Sequence, residues 1–144
     1  MEVEAFLLCD AATDSQGKLN ILGAFDTIFA PELPAQHPQC TVVARIRIGT
    51  EEAGRHNLIL SMKDPSGEVL IPTFLTELNV SSVTKDQPAR VNIIFNIQSL
   101  KLQTYGEHTV NLRVDNRDFP TLPFFVTRPG KPTSQSFRGE VPQL

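Results

Sequence analysis

Two stretches of this chain spell nearly the same strand: Gly54-Arg55-His56-Asn57-Leu58-Ile59-Leu60-Ser61-Met62 and Gly106-Glu107-His108-Thr109-Val110-Asn111-Leu112-Arg113-Val114. In each, a turn glycine precedes residues of alternating polarity. Successive side chains of a strand leave opposite faces, so Val110, Leu112 and Val114 line a core while Thr109, Asn111 and Arg113 meet solvent. A chain dominated by this pattern folds as antiparallel sheet with one buried face.

The same reading extends along the chain. Val3, Ala5, Leu7 and Cys9 form a first strand that stops at the polar run Asp10 to Gly17. Lys18 to Phe29 reads as one long strand, apolar on both faces and therefore buried on both, with Gly23 marking a bulge or close contact. Ala30 to Pro38 holds three prolines and reads as a loop. Thr41 to Ile48 alternates, with Val42, Ala44, Ile46 and Ile48 inward and Arg45 and Arg47 outward. Arg55 to Lys63 leads into the turn Asp64-Pro65-Ser66-Gly67 and a hairpin over Glu68 to Ile71. Phe74 to Val80 is a further strand, Ser81 to Pro88 a polar loop, and Ala89 to Ile97 a strand expected at a sheet centre. Asp115-Asn116-Arg117-Asp118 turns the chain into a last strand, Phe119 to Thr127, whose Pro120 and Pro123 place it at a sheet edge. No stretch has helical apolar spacing. About nine strands specify an all-β, antiparallel β-sandwich with immunoglobulin-like topology as first choice; alternation alone does not separate a sandwich from a closed barrel.

At 144 residues the chain has the size of one domain and buries enough surface for a core without staples. Residues 1–128 are expected to form the sandwich and 129–144, rich in Pro, Gly and Ser, a flexible C-terminal tail. Thirteen Lys and Arg against sixteen Asp and Glu leave a net charge of -3, which gives no pull toward nucleic acid. The opening Met1-Glu2-Val3-Glu4 is acidic where a secretory signal is basic, so a cytoplasmic location is expected. No apolar run reaches the ~20 residues of a spanning helix, so membrane insertion is not expected. Cys9 and Cys40 read as buried thiols that act as small apolar groups.

The run Gly17-Lys18-Leu19-Asn20-Ile21-Leu22-Gly23-Ala24-Phe25-Asp26, with the later Gly106 to Asp115 strand and Pro123-Phe124-Phe125-Val126, resembles a group of small bacterial proteins that carry only a domain-of-unknown-function label. The likeness covers most of residues 2 to 127. It implies a sandwich and supplies no activity and no catalytic residues. Where that family often has an aromatic after Gly-Glu, this chain has His108, and where it often turns on Asp-Gly, this chain has Asp115-Asn116.

Several constellations invite chemistry. His56 and His108 begin matching strands, yet zinc needs three or four ligands, and adjacent antiparallel strands put matching starts at opposite ends of a sheet. Both rings are expected to cap the core, apolar body inward and one nitrogen bonded at the rim. His37 sits in the proline-rich loop. The turn carboxylates Asp10, Asp14, Asp64, Glu68, Asp115 and Asp118 suggest calcium only if gathered in one place; as turn formers they need no metal. Arg45, Arg47, Arg90 and Arg113 form a basic face only if their strands adjoin. No glycine-flanked serine elbow or local Cys-His signature is present. The possible interaction edge is the last strand, through Phe119, Leu122, Phe124 and Phe125, serving a protein partner or a homo-oligomer. The expectation is a non-enzymatic binding or scaffolding module, with no cofactor, metal or identifiable small-molecule ligand. The alternatives are a hydrolase with loop-borne catalytic residues and a calcium-binding sandwich domain.

Overall fold

A computed structural model describes residues 1–81 and 83–144. Its strands run β1 Glu2–Ser15, β2 Lys18–Phe25, β3 Thr27–Phe29, β4 Ala35–Ile48, β5 Gly54–Lys63, β6 Phe74–Val80, β7 Ala89–Leu102, β8 Gly106–Val114, β9 Arg117–Asp118 and β10 Leu122–Thr127, with a single 3-10 turn at Thr50–Glu52. Ten strands thus replace the expected nine or so. The first sheet has the order β2-β1-β4-β7, and the second β3-β10-β8-β5-β6 with β9 beside β8. Every pairing among the described residues is antiparallel except β3 with β10. No helix among the described residues is long and apolar enough to cross a membrane.

The twin strands are β5 and β8, and they lie side by side. Leu58, Leu60 and Met62 face Val114, Leu112 and Val110 across the ladder, and all six are buried. From the first sheet, Leu8, Val42, Ala44, Ile46, Ile48, Ile93 and Ile97 close over them in one core. Phe74 at the β6 edge meets the Phe95 ring of β7 edge-on at 4.2 Å, which brings the two sheets together on that side.

Several expected boundaries shift, each for a physical reason. The polar run Asp10 to Ser15 does not end β1; it pairs with β2 through Thr13 with Asn20 and Ser15 with Lys18. Gln16 and Gly17 turn the ribbon at φ +54° and +79°, the left-handed backbone of a tight two-residue hairpin. Gly17 O and Asp14 Oδ2 then reach Arg45 and Asn92, on β4 and β7, so the ribbon folds back over the outward side of its own sheet. Cys9, Thr41 and Val43 are fully buried on that side, which an uncovered face would not allow.

Lys18 to Phe29 is two strands in different sheets, broken at Asp26, and β2 is largely exposed where burial on both faces was expected. Pro38 lies within β4 rather than in a loop. It is tolerated because β1 joins β4 only from Thr41 onward, so β7 alone borders Pro38. β7 is an edge strand, not a central one. The hairpin at Glu68 to Ile71 reduces to a bridge between Lys63 and Val69. Of the polar loop Ser81 to Pro88, Ser82 lies outside the described residues.

The last strand is not a sheet edge either, because β3 covers it. That cover reaches only Phe125 to Thr127, and Phe125 N donates to Asp26 O at 2.7 Å on the β3 side. Pro123 has the same parity, so its missing donor points to the side that β3 has not yet reached. Beyond Thr127 the chain has no strand or helix.

Candidate functional site

Between β2 and β3 the chain crosses from one sheet to the other. Gly23, at φ +69°, bends the ribbon there against the Asp10 carboxylate. Asp26 breaks the apolar run and accepts the Thr27 hydroxyl at 2.9 Å. The crossing leaves an aromatic corner on the surface. Phe29 is 43% and Phe125 37% exposed, and the half-buried Phe25 ring lies 5.7 Å from His37. A cleft of about 500 Å3 opens there between these three phenylalanines and residues 130–134. A shallower cleft on the other side of Phe25 is bordered by Asp10 and His37.

Of the four residues expected to form the interaction edge, Phe119 and Phe124 are buried in the core and Leu122 is half-buried; Phe125 alone is exposed. Phe25 and Phe29 are hidden in the sequence because Lys18 to Phe29 reads as one buried strand, and His37 because it falls in the proline-rich stretch. The signal is Asp26, a charge set inside an apolar run three residues after Gly23.

The two histidines sit at opposite ends of the β5–β8 pair, as antiparallel pairing requires. His56 Nδ1 donates to Asp115 Oδ2 at 2.8 Å and Nε2 donates to Glu52 O at 2.5 Å. These acceptors raise its pKa above 6.5, the Asp115 carboxylate first among them. Asp115 is lowered in turn, by His56 and by the Asn57 amide. The geometry imitates the base and orienting acid of a hydrolase, but both ring nitrogens point at acceptors. A base needs one nitrogen free to take a proton. His108 is fully buried; Nδ1 donates to Gly106 O at 3.0 Å, its ring packs 5.1 Å from Phe124, and Nε2 has no partner.

The remaining polar groups are engaged where they stand. Arg45 and Arg90 both meet Glu4, and Arg47 meets Glu2, so three of the four arginines adjoin and each is paired with a carboxylate, Glu4 being shared. Arg113 is on the other sheet, paired with Asp118. Asp14 holds Asn92 and the Gly17 amide, and Asp64 holds Ser66 and the Glu68 amide. No group of three His, Cys, Asp or Glu side chains among the described residues is placed to hold a metal. Cys9 pairs with Thr41, so it faces the opposite side of the sheet from Cys40. Burial raises both thiols, Cys40 to about 11, the wrong direction for a nucleophile.

The profile of a family of unknown function, DUF6941, matches residues 4–127. No curated protein matches the chain. Among solved structures, a beta-glucosidase from Listeria innocua in complex with isofagomine aligns with 85% of this chain at 13% identity and a TM-score of 0.44. This chain corresponds to 16% of that enzyme's length.

Proposed function

This chain belongs to the DUF6941 family, whose function is unknown, and we propose that it is a non-enzymatic cytoplasmic binding module, an immunoglobulin-like sandwich that contacts protein partners. The observation that carries this reading is the aromatic corner. Phe29 and Phe125, exposed beside an open cleft, stand outside the core and keep apolar area in water. Aromatic side chains are the residues that protein interfaces enrich. The absence of a free base at His56 and of a low-pKa thiol supports binding over hydrolysis.

A photoreactive phenylalanine analogue at position 125, introduced in the native host, tests the proposal. Crosslinking to a discrete protein is expected from position 125, lost when Phe29→Asp is added, and absent from a probe at Lys101. Equal yields from both positions, or none from position 125, would overturn it.

A further inference from the structure

We propose that the chain pairs with a second copy of itself along the outer edge of β2, antiparallel and centred on Leu22. β2 terminates the first sheet, so the backbone groups of its outer edge have no strand beside them among the described residues. Lys18, Asn20, Leu22 and Ala24 along one of its faces are all exposed, Leu22 at 71%. Natural edges are protected by prolines, inward charges or bulges; β2 has no proline or charge along Leu19 to Phe25, and its backbone bends there at Gly23, φ +69°.

A two-fold axis at Leu22 sets Lys18 opposite Asp26 of the other copy, Leu19 opposite Phe25, Asn20 opposite Ala24, Ile21 opposite Gly23, and Leu22 opposite Leu22. Charge meets opposite charge twice, apolar meets apolar, and Gly23 leaves room for Ile21. Neighbouring registers lose this match. Centring on Ile21 sets Lys18 against Ala24 and Leu22 against Asn20; centring between Ile21 and Leu22 sets Lys18 against Phe25. The complementarity of Lys18 with Asp26 selects a copy of this chain as the occupant. The pairing is centred on Leu22, outside the cleft of the aromatic corner, and meets the wall of that cleft only at Ala24, Phe25 and Asp26. One strand pair buries less than a standard interface of ~1,600 Å2, so association is expected at high protein concentration.

Two readouts test it. Under mild oxidation Leu22→Cys is expected to form an interchain disulfide readily and Ile21→Cys far more slowly; Cys9 and Cys40, both 0% exposed, do not compete. By sedimentation, Lys18→Asp and Asp26→Lys should each weaken self-association about tenfold, because each removes both symmetry-related ion pairs. Combining the two should restore it. All the substituted side chains are exposed, so circular dichroism of each variant should match the parent. A chain that stays monomeric to its solubility limit, equal crosslinking at positions 21 and 22, or no restoration in the double variant would each overturn the proposal.

Discussion

His56 and His108 occupy equivalent positions in twin strands and end with different hydrogen-bond partners. Asp115, in the turn after β8, reaches His56, whereas Asp64, in the turn after β5, is held by Ser66 and Glu68 and leaves His108 Nε2 without a partner. The His56–Asp115 pair makes stability depend on pH in a direction that can be worked out. His56 is raised above 6.5, so its contribution is complete below pH 6.5 and disappears as pH rises through the raised value. Asp115 is lowered below 3.8, so its contribution is complete above that pH and disappears as pH falls through the lowered value. Asp115→Asn should therefore lower the melting temperature most between these limits and less on either side. Thermal unfolding of both proteins from pH about 3 to 9 reads this; a constant difference across the range would show that the pair is not the cause. That both rings turn inward was legible from the strand pattern, although His108 is fully buried rather than at the rim and His56 has both nitrogens bonded rather than one. The partners were not, because His56 and Asp115 stand 59 residues apart and meet only through the β5–β8 register.

At the scale of elements, alternation located β5 and β8 well because each buries one face and leaves the other more exposed, and found only the Thr41 to Ile48 part of β4, whose Cys40 to Ala44 stretch is buried on both faces. It failed for the β1–β2 ribbon. A ribbon standing largely in solvent has no side that must be apolar, so Asp10 to Ser15 looked like loop while Leu22 looked like core. The ribbon's shape depends on Gly23, whose φ of +69° an L-residue enters at a cost of about 1–2 kcal/mol. Gly23→Ala should lose about that much in urea denaturation. Its new methyl would also strike the Asp10 carboxylate. That carboxylate is exposed and can swing aside, so backbone strain should outweigh the clash. Adding Asp10→Ala should then recover less than ~0.5 kcal/mol, within ordinary additivity. Full recovery would mean that the side-chain contact, and not the left-handed backbone, makes glycine necessary at this position.

For the whole molecule, both ends of the folded region enter one core: Leu8 near the start, Phe124 and Val126 near the end. Composition changes at Pro129, and no residue beyond Val126 belongs to that core. The last side-chain contact of note is Arg128, stacked 4.9 Å above the Tyr105 ring. A chain ending at Arg128 should therefore melt within ~2 °C of the full chain, the size of shift expected from a few tenths of a kcal/mol. Ending it before Leu122 should abolish cooperative unfolding. That cut removes two fully buried side chains, where Phe→Ala at Phe124 alone is worth about 3–5 kcal/mol, and strips β8 of its neighbour along Gly106 to Val110. Calorimetry on the two truncations separates the cases. A large drop for the first would give the residues after Arg128 a structural part in the fold, through the wall that residues 130–134 form beside Phe29 and Phe125.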